Sequence, residues 1–146
     1  MAKYIAIDFG LRRIGLAIAD EMLAIATPLK TVEYFGGIEK AIEKIIEELK
    51  PYEKELKAIV VGLPLLMSGK DSDMTKTVRE FAEKLKNKVA VDIHLFDERL
   101  TTAQLDKMMR DADVKRKKRN QSTDPLAAAL ILQCFLDAQA NRLGGK

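Results

Sequence analysis

The chain has 146 residues, of which 47% are hydrophobic and 32% are charged, with a formal net charge of +3. These values are typical of one globular domain and exclude a disordered or fibrous chain. No apolar run approaches the ~20 residues that span a bilayer, no signal-peptide pattern is present, and the single cysteine excludes an internal disulfide. We therefore expect one domain over residues 1–146 of a soluble, cytoplasmic protein without a membrane partner.

The positive charge is concentrated in one segment. Residues 110–119 contain six basic and two acidic side chains, so the remaining 136 residues sum to −1. Local basicity favours an anionic partner that binds at one place, although a solvated linker has the same composition. Because no aromatic residues are interleaved, this segment would bind a nucleic-acid backbone rather than read bases. We predict a basic linker over about 110–122, with these candidate substrate-binding residues: Lys115, Arg116, Lys117, Lys118 and Arg119.

The first predicted elements are three strands. Residues 4–8 and 14–19 predict two strands joined by a short turn, and residues 26–32 predict a third. In the first strand, Asp8 shares a face with Ala6, because successive side chains alternate between the two faces. A lone carboxylate in such a strand is costly unless it is paired, hydrogen-bonded or bound to a cation.

The rest of the chain alternates helices with strands. Amphipathic or apolar helices are predicted at 38–49, 73–87, 101–112 and 122–139, a near-continuous apolar strand at 57–63 and another strand at 91–96. The final helix is apolar on nearly all sides, so we expect it to be buried. The element order predicts an α/β fold with a mixed five-stranded sheet, formed by a three-strand meander plus two parallel strands, and helices on both faces.

Acidic residues from three elements converge on one end of this predicted sheet. Small side chains in the second strand and at the start of the final helix would bring Asp124, at the helix N-terminus, close to Asp8. The sequence "DERLTT" places Asp97 and Glu98 at the end of the last strand, where α/β sheets form sites. These two side chains alternate, so at most one enters a shared site. The structural alternatives are that Asp124 caps the final helix and that Asp97 or Glu98 forms an ion pair with Arg99.

Clustered carboxylates point to a divalent cation as cofactor. They repel one another, and a hard cation removes that repulsion. Mg²⁺ accepts a few carboxylate oxygens and keeps water and phosphate oxygens as its other ligands. Two such ions about 4 Å apart support phosphodiester cleavage. A histidine-based hydrolase is not indicated, because the only histidine, His94, lies mid-strand and is interpreted as packing. We therefore predict Mg²⁺ or Mn²⁺, with two ions.

Five motifs occur in a fixed order along nearly the whole chain: "AIDFGLRRIGLAIAD", "IVVGLPLLMSGKDSD", "FAEKL", "DERLTT" and "DPLAAALILQCFL". In this order and spacing they resemble the bacterial YqgF/RuvX family. The resemblance implies an RNase H-like fold and a metal-dependent nuclease. Its catalytic and metal-binding acidic residues map to Asp8, Glu98 and Asp124 of this sequence. The choice of Glu98 over Asp97 comes from the resemblance alone.

The same resemblance implies a nucleic-acid partner. The family is described both as the nuclease that matures the 5′ end of 16S ribosomal RNA and as a Holliday junction resolvase. On family grounds we expect precursor rRNA, acted on by a monomer or weak homodimer, whereas cleavage of branched DNA would require a dimer. A non-catalytic RNA-binding module is the other alternative, although a carboxylate cluster without metal would repel RNA. Further candidates for phosphate binding are Arg12, Arg13, Lys70 and Arg99.

Overall fold

The computed structural model describes residues 2–22, 24–99 and 123–144, the last range with side chains from 125 to 141. The predicted helix at 101–112 and the basic linker therefore lie outside the described residues, and both stay predictions. Within the described part of the chain, no helix is long and apolar enough to cross a membrane.

A five-stranded sheet runs through the centre of the described residues, with its strands in the spatial order β3-β2-β1-β4-β5. The first three strands form an antiparallel meander, and β4 and β5 add to it in parallel. This mixed sheet confirms the predicted fold class. The strands are β1 (Lys3–Phe9), β2 (Arg13–Asp20), β3 (Ala26–Glu33), β4 (Leu56–Leu63) and β5 (Asp92–Asp97).

Two helices, α1 (Ile38–Leu49) and α2 (Asp73–Lys86), cover one face of the sheet, and a 3₁₀ turn, Lys50–Tyr52, follows α1. Their apolar stripes pack on β1, β2 and β4 to form the larger core cluster. A capping box begins α2, in which the Ser72 hydroxyl accepts from the Thr75 N–H at 3.1 Å and the Thr75 hydroxyl accepts from the Ser72 N–H at 2.9 Å. Such reciprocal bonds satisfy two amides at a helix start and fix where α2 begins.

The last helix, α3 (Thr123–Gly144), lies on the opposite face of the sheet. It packs closely there because the face is lined by small side chains, with Ala6 of β1 paired to Ala17 of β2. Its buried residues are Ala128, Ala129, Ile131, Leu132 and Leu136. The prediction that this helix is buried holds over residues 125–136, where every side chain is buried or half-buried, and fails beyond them, where Ala138 and Ala140 are exposed.

Two side-chain contacts fix the direction of α3. Near the C-terminal end of α3, Gln139 Oε1 lies 3.4 Å from the Tyr4 hydroxyl. Further toward the N-terminus of the helix, Ile131 lies against Gly62, at the end of β4 that stands beside the end of β1. Because Tyr4 stands near the start of β1, α3 runs antiparallel to β1 and begins at the edge of the sheet where β1 ends.

Candidate active site

The C-terminal ends of the three parallel strands β1, β4 and β5 lie side by side and form the C-terminal edge of the sheet. Asp8 lies at the end of β1, half-buried and paired with Gly15 of β2. It follows Ile7, which pairs with Val61 of β4, so Gly62 is the next residue along the neighbouring strand. By alternation, Asp8 and Gly62 face α3. Parallel α/β sheets place their functional groups at this edge.

Glu98 directs its carboxylate over Gly62. A Cβ atom on Gly62 would lie 2.5 Å from Glu98 Oε2 and 2.6 Å from Cδ1 of Ile131 in α3. The carboxylate therefore lies on the α3 face, against the helix, and one strand away from Asp8. Neighbouring strands are separated by about 4.8 Å. The structure thus brings the carboxylates of Asp8, in β1, and of Glu98, directly after β5, to the same face of the same edge.

Asp97 takes the opposite direction and pairs with Arg99. Arg99 Nε lies 2.9 Å from Asp97 Oδ2, and Arg99 Nη2 lies 2.5 Å from the same oxygen. This guanidinium holds the pKa of Asp97 below its usual value. Alternation along β5 left the choice between Asp97 and Glu98 open. The contacts identify Glu98 as the residue that faces α3.

The environment of Glu98 disfavours its charged form. Burial raises the pKa of Glu98 above the usual value for a glutamate, and the nearby charge of Asp97 raises it further. The Glu98 N–H donates to the Leu63 carbonyl at 3.2 Å, which fixes the backbone at this point. A carboxyl group in such surroundings takes up a proton or is compensated by a cation.

Asp124 belongs to the first turn of α3, and its side chain lies outside the described residues. The direction of the helix places this turn beyond Ile131, toward the edge that carries Asp8. Asp124 precedes Ile131 by seven residues, which is about two helical turns. Among the described side chains, no group of three histidine, cysteine or acidic residues is arranged to hold a metal. The cluster of three carboxylates therefore stays a prediction.

The candidate phosphate-binding cations lie on both sides of this edge. Arg12 and Arg13 are exposed at the turn between β1 and β2. Lys70 is exposed in the loop after β4, and Arg99 Nη1 donates to the carbonyl of Met67 in that loop at 3.2 Å. Arg99 is thus held by Asp97 and by the loop. The basic residues 115–119 lie outside the described residues.

Sequence reasoning did not identify the spacing role of Gly62. Gly62 is the penultimate residue of β4, in agreement with the strand predicted over 57–63, and it is buried. The signal was available, because a glycine within the apolar strand "AIVVGL" marks a close approach by another group. His94 contacts Phe135, with ring centroids 5.2 Å apart, in agreement with its interpretation as packing.

Comparisons with known proteins identify the family. Residues 2–138 match the family model described as "RuvX: Holliday junction resolvase". The chain belongs to this family. Two curated relatives, both named "Putative pre-16S rRNA nuclease", come from Protochlamydia amoebophila (strain UWE25) and Endomicrobium trichonymphae. The first is 39% identical over 142 residues, covering 94% of this chain and 95% of its own. The second is 42% identical over 142 residues, covering 97% and 99%.

A solved structure shares the fold of this RuvX family member. It is titled "T. thermophilus RuvC in complex with Holliday junction substrate", and the similarity covers 99% of this chain and 97% of that one. The TM-score is 0.58 and the sequence identity is 16%, so this likeness concerns the fold alone. It confirms the RNase H-like architecture predicted from the sequence.

Proposed function

We propose that this chain is a divalent-metal-dependent endonuclease that hydrolyses phosphodiester bonds in the 5′-end maturation of precursor 16S rRNA. The observation that supports it best is the Glu98 carboxylate over Gly62, on the same sheet face as Asp8. Two acidic groups brought together where burial raises the pKa of one of them are typical of a cation site. The names of the two relatives favour RNA as the substrate.

The donor set fits Mg²⁺ or Mn²⁺. Carboxylate oxygens are the ligands that these hard cations prefer, and we propose that Asp8, Glu98 and Asp124 hold them. When bound, two such ions make a nucleophile of water at neutral pH and offset the charge that develops on the phosphate. The negative charge of the three side chains sets the affinity for the cations. The positions of Asp8 and Glu98 are fixed by strand ends rather than by a long loop.

Other residues of the chain position these groups and the substrate. Gly62 leaves the space that the Glu98 carboxylate occupies, and Ile131 packs against the same point from α3. Arg12, Arg13 and Lys70 are exposed beside the site and are proposed to bind phosphates of the substrate. Arg99 is proposed to add to them through the Nη hydrogens that neither Asp97 nor the Met67 carbonyl engages.

Neutralising the basic segment is expected to weaken nucleic-acid binding equally for all sequences. Glutamine at all five positions from Lys115 to Arg119 removes contacts to phosphates but none to bases. The slope of log affinity against log salt concentration should fall in magnitude by roughly 3 to 4 if all five contact phosphate. Fluorescence anisotropy with labelled RNA at several KCl concentrations measures this slope.

The matched control replaces five exposed lysines away from the site with glutamine, namely Lys44, Lys50, Lys54, Lys86 and Lys88. An unchanged slope in the first variant would show that the segment is only a linker.

One assay compares the proposed substrate with the alternative. The purified protein is incubated with Mn²⁺ and either an RNA that spans the 5′ end of precursor 16S rRNA or a four-way DNA junction. We expect cleavage of the RNA. Junction resolution is the second candidate, favoured by the description of the family model, and it requires two symmetric active sites. If the junction is resolved and sedimentation shows a dimer, junction resolution replaces the RNA proposal. If neither the RNA nor the junction is cleaved, the chain is a non-catalytic binding module.

A further inference from the structure

Two large apolar side chains are exposed beside the candidate active site. Leu11, in the turn between β1 and β2, is 70% exposed, and Phe35, just after β3, is 81% exposed. Both lie at the edge of the sheet where β1 ends, because β2 begins and β3 ends there. The Tyr34 N–H donates to the Arg12 carbonyl, so the two segments are neighbours and their side chains form an apolar surface rather than one isolated exposed residue.

The backbone around Phe35 is fixed by the preceding residue. The Tyr34 N–H donates to the Arg12 carbonyl at 3.1 Å, and the Tyr34 hydroxyl donates to the Gly10 carbonyl at 2.7 Å. Leu11 stands between these two carbonyls. The Tyr34 ring is buried against Phe9, with centroids 6.1 Å apart. Phe35 is therefore presented to solvent by an anchored segment and not by a long loop.

The two residues after Phe35 also restrict the backbone conformation at this point. Gly36 and Gly37 both have positive φ, at 105° and 86°, a conformation that side-chain-bearing residues rarely adopt. They turn the chain into α1, which begins at Ile38. Phe35 thus stands between an anchored tyrosine and a sharp turn, so little ordering is required when a ligand binds to its ring.

Position and charge indicate what this surface binds. Phe35 lies two strands from β1 and four residues beyond Thr31, the β3 residue level with Asp8, so it stands roughly 10 Å from Asp8 across the strands and further along them. Arg12 and Arg13 are exposed between them, with Glu33 paired to Arg13 in register. An apolar ring next to guanidinium groups, continuous with a nuclease site, is complementary to a base and its neighbouring phosphates.

We propose that Phe35, with Leu11 beside it, stacks an unpaired base of the strand whose phosphates Arg12 and Arg13 bind. This inference rests on the proposed nuclease function and narrows its substrate class to strands that are unpaired within a few nucleotides of the cleaved bond. A base must leave its pair to stack on a protein ring, so a continuous duplex cannot use this surface. Stacking on an aromatic ring tolerates every base, so no sequence preference arises from it.

The test measures binding in an Asp8→Asn background, which separates it from cleavage. Adding Phe35→Ala is expected to weaken binding of a short single-stranded RNA by about 5- to 100-fold, from the loss of one stacked base. Affinity for the same RNA in a full duplex should change less than about twofold, and the salt slope should stay unchanged. Phe35→Trp should retain single-strand affinity. Met22→Ala is the matched control, because Met22 is also 81% exposed but lies at the opposite end of the sheet.

The outcomes separate this inference from the nuclease proposal. Equal losses on single strand and duplex, or an unchanged affinity for the single strand, would overturn the stacking role. In either of these cases the nuclease proposal still stands if the wild-type chain cleaves RNA in an Asp8-dependent manner. Conversely, a selective loss in Phe35→Ala that Phe35→Trp restores supports stacking even where the wild-type chain shows no cleavage.

Discussion

Replacing Asp8 with asparagine is expected to reduce Mg²⁺- or Mn²⁺-dependent cleavage by at least about a thousandfold, equivalent to about 4 kcal/mol of transition-state stabilisation. Asparagine keeps the shape of the side chain but removes the charge that would hold the cation. The fold should tolerate the change, because Asp8 is half-buried beside Gly15 and its neighbours Ile7 and Phe9 pack on the other face of the sheet. Single-turnover cleavage at saturating protein measures the effect.

The affinity of this variant for nucleic acid distinguishes catalysis from binding. We expect Asp8→Asn to bind the substrate as tightly as the wild-type chain or more tightly, because one negative charge near the phosphates is removed. Asp92→Asn serves as the control, since Asp92 is exposed at the opposite end of β5 and its change should leave cleavage intact. Wild-type cleavage rates in Asp8→Asn would rule out the proposed active site.

Gly62→Ala is expected to lower activity more than stability. The added Cβ would meet Glu98 Oε2 at 2.5 Å and Ile131 Cδ1 at 2.6 Å. Both atoms are the ends of side chains that rotate, so the free energy of unfolding should fall by only about 1 kcal/mol. Moving the Glu98 carboxylate by about 1 Å should reduce cleavage by about a hundredfold. Urea unfolding and single-turnover cleavage measure the two effects separately.

A second substitution tests whether the displaced carboxylate causes this loss. Ile131→Val removes Cδ1, the helix atom that the new Cβ would meet, and leaves Glu98 unchanged. Combined with Gly62→Ala, it should recover part of the stability without recovering cleavage. Recovery of full cleavage in the double variant would show that the position of Glu98 does not depend on Gly62.

The sequence predicted the strands and their faces because alternation is a local property of the chain. Ala6 and Asp8 share the face covered by α3, as the spacing in β1 requires. The small residues of β2 predicted the close approach of the last helix, and Ala17 is indeed buried beneath it. The end of the sheet at which Asp8 and Glu98 lie followed from the element order.

Other features depended on contacts between distant segments. Alternation showed that Asp97 and Glu98 face opposite ways, but which of them faces α3 depends on how β5 pairs with β4. The space over Gly62 is defined by Ile131, which is 69 positions further along the chain. The all-round apolar composition of the last helix predicted burial along its length, whereas its C-terminal end, with Ala138 and Ala140, is exposed. Composition does not reveal where the sheet beneath a helix ends.

Calorimetric titration of Mn²⁺ tests most directly whether Asp8, Glu98 and Asp124 form one cation site. The wild-type chain is compared with Asp8→Asn, Glu98→Gln and Asp124→Asn, and with Asp92→Asn as the control for lost charge. We expect each of the first three variants to bind Mn²⁺ at least about tenfold more weakly than the wild-type chain, and the control to bind it equally well. Wild-type affinity in any one of the three would contradict a shared site.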